Sequence, residues 1–246
     1  MTSADLSTPA WLYDLVEATW PTAALHQNGP VSLRDGQGGG SRVSAATVDD
    51  GFEPADLTKA IHAMRAMGQT PLFMVRDGQE VLDQALEQMG FVVKDPVIFQ
   101  IAPTRALARE TVPPVTTFDI WPPLAIQTDI WAEGGINAPR LAVMARVKGN
   151  KTAILGRVDD QPAATAFVAI KDGVAMLHAL EVRTAHRRKG LARWMMCHAA
   201  KWAEHHGATQ LAILVTRANT GANALYRSLG MKPCGQYHYR VLEPTA

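Results

Sequence analysis

Apolar and polar positions along the chain follow two periods, and the switches between them outline the elements. Residues 151–158 (KTAILGRV), 162–170 (PAATAFVAI) and 174–182 (VAMLHALEV) are apolar-rich runs of strand length. Asp159-Asp160 and Lys171-Asp172-Gly173 supply turn chemistry between them, which predicts antiparallel neighbours. From Leu191 the period lengthens: Leu191, Met195, Ala199 and Trp202 recur at helical spacing, so a helix is expected to about His206. A strand follows in TQLAILVT (209–216), then a helix over 220–229 and a final strand in GQYHYRVL (235–242). Two further helices are expected over about 124–133 and 138–147, ahead of the three strands.

The first half reads as a helix over 9–20, opening after Ser7-Thr8-Pro9, and two strands, 31–35 and 42–48, around a flexible glycine-rich turn. A helix over 54–67 follows, with Pro54 suited to its first turn. PLFMVR (71–76) reads as a strand, residues 80–90 as a helix ended by Gly90, and residues 91–103 as a strand or a broken pair. Prolines 103, 113, 114, 122 and 123 mark the best linker. The expected division is 1–103, a linker over 104–122, and 123–246. The fold class is α/β (α+β), a mixed central sheet with flanking helices.

The two halves echo each other. With Gly90 laid on Gly230, PLFMVRDGQEVLDQALEQMGFVVKDPVIFQIAP runs beside LAILVTRANTGANALYRSLGMKPCGQYHYRVLEP. Both read strand, turn, helix, glycine, strand. Phe91 falls on Met231 and Leu86 on Tyr226. A tandem pseudo-repeat is expected, although strand–helix–strand units are common in unrelated chains.

Composition narrows the function classes. The chain has 246 residues and a formal net charge of +1, which argues against a general nucleic-acid binder. No apolar run approaches bilayer length, so no membrane role is expected. The amino-terminal stretch lacks a basic head followed by an apolar segment, so no secretory signal is expected. Cys197 and Cys234 form no CxxC, which fits a reducing, cytoplasmic compartment.

One stretch stands out chemically: HRRKGLARWM, residues 186–195. A helix start carries unpaired N–H groups and a partial positive charge, a ready site for phosphate. Gly190 admits an anion close to the backbone, and Ala192 keeps the next turn slim. Arg187, Arg188 and Lys189 add full charges. Three charges alone are equally well a solvated turn; the strand before and the striped helix after favour the anion reading. GQGGGS (36–41) fails GxGxxG because Ser41 holds the last glycine position, and no GxxxxGK[ST] is present.

LEVRTAHRRKGLARWMM resembles motif A of the GNAT acyltransferases, R/Q-x-x-G-x-G/A after a strand, here Arg187-Arg188-Lys189-Gly190-Leu191-Ala192. NTGANALYRSLGM resembles their second signature, carried by Asn219, Ala222, Leu225 and Tyr226 and then Leu229-Gly230-Met231. The likeness covers about residues 116–242. The first half looks like a degenerate copy without motif A.

The resemblance implies acetyl transfer from acetyl-CoA to an amine, with no metal. It places the amides of Arg188, Lys189, Gly190, Leu191 and Ala192 around the CoA diphosphate and the backbone of Leu180 and Val182 along the pantetheine arm. Asn219 and Ala222 lie beside that arm, and Tyr226 protonates the departing thiolate. Glu181 is the candidate base, or else an edge charge or a substrate-binding anion. A backbone N–H near Val182 is the candidate oxyanion donor. His178 reads as a core histidine, Cys197 as core, and His198, His205 and His206 as a solvated helix end rather than metal ligands. The segment WAEGGINAPR, with Gly134-Gly135, is either a mobile cover over the acceptor or an ordinary helix–turn–helix. The expected partner is a small-molecule amine, and a homodimer is compatible with the chain. A non-catalytic acyl-CoA-binding or regulatory module is the second reading.

Overall fold

A computed structural model of the chain describes residues 8–243. The first seven residues, with Ser7 of the expected helix entry and the head of the amino-terminal stretch, lie outside the described residues. The amino-terminal half runs α1 (Ala10–Thr19), β1 (Ala24–Asn28), β2 (Val31–Asp35), α2 (Ser41–Ser44) and β3 (Thr47–Val48), then α3 (Pro54–Ala66), β4 (Leu72–Arg76), α4 (Glu80–Gln88) and β5 (Val92–Pro103). The carboxy-terminal half runs α5 (Thr104–Ala108), β6 (Thr117–Ile120), α6 (Ala125–Glu133), α7 (Ala138–Arg146), β7 (Lys151–Val158) and β8 (Gln161–Lys171). It ends with β9 (Val174–Val182), α8 (Leu191–His205), β10 (Gln210–Thr216), α9 (Thr220–Ser228) and β11 (Lys232–Val241).

Eight strands form one sheet in the order β4-β11-β5-β10-β9-β8-β7-β6. The repeated units do not pair within themselves. β4 of the first copy pairs with β11 of the second, β10 of the second pairs with β5 of the first, and β5 and β11 lie antiparallel between them. Beyond β4, Ala46 bridges in the parallel sense, its N–H donating to the Leu72 carbonyl (2.9 Å) and its carbonyl accepting from Met74 (2.8 Å). That bridge leads to the three-stranded sheet β1-β2-β3. Strand order therefore mirrors about the β5/β11 pair. A linear cut after residue 103 is not a division of the sheet, because β5 is bonded to two strands of the other half.

Strand alternation assigns the helices to faces. Ala166, Val168 and Leu177 point to a core built with Leu191, Met195 and Ala199 of α8 and Tyr226 of α9. Phe167 and Ala169 point the other way, to Trp20, Trp131 of α6 and Val143 of α7. Met176 joins α1 on that same side. Phe167 is fully enclosed; truncating such a residue to alanine costs about 3–5 kcal/mol.

Three expectations are corrected. Residues 42–48 are not a strand: α2 takes 41–44 and only Thr47–Val48 pair with β2. The glycine turn before them is packed rather than free. A Cβ on Gly39 would stand 2.8 Å from the side chains of both Val43 and Val143, and Gly40 has φ +96°. β1 has no alternating pattern to reveal it, yet it pairs with β2 along its length. The expected linker 104–122 is structured. Thr104 donates to the carbonyls of Thr209 and Ala208, Leu107 is buried, and β6 extends the sheet beside β7. Its prolines delimit these short elements. His198 fastens β6 to α8, bonding Thr117 Oγ1 (2.8 Å) and Asp119 Oδ1 (2.9 Å). No helix among the described residues is long and apolar enough to cross a membrane.

Candidate active site

The site begins with a fault in β9. β8 and β9 pair in step until the register shifts between Thr165/Glu181 and Phe167/His178, which leaves an extra residue on β9. Ala179 there has φ +52°. Such a bulge bends its strand and strengthens its twist. On the other edge, β10 follows β9 in parallel only from Gln210/Val174 to Ile213/Leu177. Both strands continue, but they part. The expected splay is therefore present, and its cause is the bulge.

Beyond the bulge, the Arg183 N–H donates to Ala163 of β8 (2.9 Å). Backbone groups alternate in direction along an antiparallel strand. The N–H and C=O of Val182 consequently face away from β8, into the gap. The Val182 carbonyl accepts from Arg187 Nε (2.9 Å), and Arg187 Nη2 donates to Glu181 Oε1 (3.1 Å). Arg187 thus lies along the strand end rather than over the turn.

The turn itself uses two left-handed residues, Arg188 (φ +65°) and Gly190 (φ +80°), the latter capping α8. A Cβ at Gly190 would meet only Trp194 Nε1, at 3.8 Å. Among the described residues no protein acceptor faces the backbone N–H groups of Arg188, Lys189, Gly190, Leu191 or Ala192. Lys189 pairs with Asp159 of the β7–β8 turn, whose carboxyl that partner holds low. Of the three cations expected at the turn, only Arg188 has no carboxylate partner among the described residues.

Tyr226 sits in the α8-side core with Leu177 and Leu191, and Leu180, Val182 and Ala222 pack on that cluster. Its hydroxyl has no hydrogen-bond partner among the described residues, and burial pushes its pKa up to about 12. Asn219 is committed locally: its Oδ1 caps α9 by accepting from the Ala222 N–H (3.0 Å). Glu181 lies on the opposite face of the sheet, against α6. A Cβ on Gly134 would come 2.6 Å from its carboxyl carbon, so Gly134 makes room for this side chain. Arg183 bonds both Glu133 oxygens, clamping the end of α6 to β9.

A cavity of about 300 Å³ opens on that same face. It reaches Ala179 and Thr216, the two lips of the splay. Sequence reading missed its other walls: Trp20 and Arg42 from the amino-terminal half, Asp95 at a left-handed position in β5, and Tyr237 from β11. No motif marks them, because elements far apart in the chain gather them: the end of α1, α2, β5 and β11. His178 is buried beside them. Its Nδ1 accepts from Arg42 (2.9 Å) and its Nε2 donates to Thr19 Oγ1 (2.9 Å), whose own proton goes to the Leu15 carbonyl (2.7 Å). That pattern requires neutral imidazole, and burial together with Arg42 holds its pKa well below the usual range.

The acetyltransferase (GNAT) family model matches residues 120–231. The chain is 31% identical over 84 residues to the uncharacterized N-acetyltransferase YobR of Bacillus subtilis, covering 33% of this chain and 34% of the relative. It is 43% identical over 56 residues to streptothricin acetyltransferase of Streptomyces lavendulae, covering 23% and 30%. These matches span about a third of the length of the curated relatives. A GCN5-related N-acetyltransferase from Kribbella flavida superposes with a TM-score of 0.72 over 99% of this chain and 98% of that one, at 20% identity, a likeness of fold. Motifs and family match converge on one stretch: residues 120–231 match the acetyltransferase (GNAT) family model, and the chain as a whole shares its fold with a GCN5-related N-acetyltransferase.

Proposed function

We propose that this protein is a cytoplasmic N-acetyltransferase that takes an acetyl group from acetyl-CoA and transfers it to the amine of a small molecule. One observation carries the reading. Unpaired amides around Gly190 flank one side of a gap between β9 and β10, and a cavity meets the same gap from the other side. Donor and acceptor then approach from opposite faces. The residues fit the donor: consecutive free N–H groups at a helix start suit a diphosphate, and the left-handed Gly190 lets it come close. The name of one relative, streptothricin acetyltransferase, points toward a small acceptor.

Acetyl-CoA brings the acetyl group as an activated thioester. The chain supplies positioning and proton transfer. The outward N–H and C=O of Val182 pair with an amide-bearing arm, for which Arg187 must release the carbonyl. Glu181 takes the proton of the incoming ammonium, directly or through water, so that a neutral amine attacks. The N–H near Val182 stabilises the oxyanion. Tyr226, with its pKa near 12, stays protonated at neutral pH and donates to the departing thiolate. Asn219 contributes by fixing the start of α9 and so the placement of Tyr226. Burial pushes Cys197 and Cys234 up to about 11, which leaves neither a ready nucleophile.

The test is a panel of small amines, streptothricin among them, with acetyl-CoA and thiol release as the readout. At least one amine is expected to turn over. Tyr226→Phe is expected to lower kcat by about 10²-fold while acetyl-CoA still binds. Binding of acetyl-CoA with no turnover on any amine would instead support the acyl-CoA-binding module.

A further inference from the structure

A second cavity, of about 190 Å³, adjoins the first and shares Trp20, Arg42 and Tyr237 with it as a common wall. Arg34, Arg42 and Arg76 all line this second cavity, and among the described residues the only carboxylate on its walls is Glu17. Glu17 is already paired with Arg34, whose other donors reach the Ala45 carbonyl (3.1 Å) and Thr47 Oγ1 (3.0 Å). Arg42 and Arg76 have no carboxylate partner among the described residues. Their Nε atoms are both buried without a hydrogen-bond partner. Arg76 stacks over Tyr13 (4.6 Å to the ring centre) and Arg42 over Trp20 (5.6 Å), which orients the two guanidinium planes without satisfying their Nε edges.

Buried donors without acceptors are rare, and guanidinium groups match the paired oxygens of carboxylate or phosphate. Like charges gathered around one cavity are costly unless an anion joins them, and burial together with Arg34 already lowers the pKa of Arg76. Arg42 belongs to both cavities, so an anion held there would be tethered close to the splay.

We infer that the acceptor is an amine carrying an oxyanion, a carboxylate or a phosphonate-like group, which Arg42 and Arg76 grip while the amine reaches toward Ala179. The inference rests on the acetyltransferase reading for its amine, but the anion site stands on the arginines alone. It also gives the amino-terminal half a part in acceptor recognition, since Arg34, Arg42 and Arg76 all come from it.

The experiment has two arms. In the first, ω-amino acids, the matching aminoalkylphosphonates and plain alkylamines of equal length are compared as acceptors. The better oxyanion-bearing amine should exceed its plain counterpart in kcat/KM by about tenfold or more, and Arg42→Gln and Arg76→Gln should each collapse that ratio. The phosphonates show which oxyanion is preferred. Arg42→Lys and Arg76→Lys, which keep the charge without the fork, should lower the ratio less, and they serve if a glutamine variant fails to fold. In the second arm, glutarate is titrated calorimetrically into the folded protein and its variants. Binding that Arg76→Gln weakens about tenfold or more supports the site even if no amine is acetylated. Turnover without discrimination between acid and plain amine, or glutarate binding indifferent to both arginines, would overturn the inference while leaving the acetyltransferase reading in place.

Discussion

The two copies of the strand–helix–strand unit share a backbone plan and differ at the mouth of the preceding helix. In the carboxy-terminal copy, α8 leads into β10; in the amino-terminal copy, α3 leads into β4. α8 starts at a left-handed glycine beside Arg188, with free amides. α3 starts with Glu53, Pro54 and Asp56: the Glu53 N–H donates to Asp56 Oδ2 (3.1 Å), closing the turn on itself with a carboxylate. An anion would be welcomed at one mouth and repelled at the other. The strands beside the two mouths differ as well. β9 runs nine residues and carries the bulge, whereas β3 has two residues and ends soon after its bridge to β4. One fold plan thus yields one candidate coenzyme site, and the amino-terminal copy keeps its strands for the sheet and its arginines for the opposite cavity.

Four changes break or sharpen this contrast. The largest effect is expected from Gly190→Glu, which places a side chain at φ +80° and a carboxylate where the diphosphate would lie. Acetyl-CoA affinity by calorimetry should fall on the order of 10³-fold, while the left-handed backbone alone should cost about 1–2 kcal/mol of stability, since a Cβ there meets no close neighbour. Leu86 holds the place in α4 that Tyr226 holds in α9, and it is completely buried. Leu86→Ala should cost about 2–5 kcal/mol in denaturant unfolding, yet leave turnover per folded molecule near wild type.

The third change is read in alkali. Because Tyr226 titrates near 12 in the folded protein and near 10 when unfolded, its contribution is complete below pH 10 and is lost as pH rises toward 12. Tyr226→Phe should remove up to about 3 kcal/mol of that alkaline loss. Part will remain, since burial also raises Tyr239. The smallest effect is expected from Asp56→Ala, which uncaps α3: about 0.5–1 kcal/mol of stability and no change in acetyl-CoA affinity.

The legible part of this architecture was the part written in local pattern. Helix and strand periods in the carboxy-terminal half, the Gly190 turn and the α9 signature all lie in contiguous residues, and each forms where its spacing predicts. The exchange of β5 and β11 was not legible, because pairing between strands so far apart in the chain leaves no local pattern. Nor was the bulge at Ala179, since nothing in VAMLHALEV asks for a left-handed alanine; the neighbouring strands impose it. Arg42 and Arg76 belong to no motif; α2 and the end of β4 bring them to one cavity only in the fold. Nor were the partners of Arg187 and Lys189 legible, because Glu181 and Asp159 lie outside the turn and reach it only in the fold.

The most direct test of the central claim is a calorimetric titration of acetyl-CoA into the wild-type protein, read for stoichiometry. Two similar copies with one competent helix mouth predict one site per chain. Two sites per chain, or no heat of binding at all, would contradict the account.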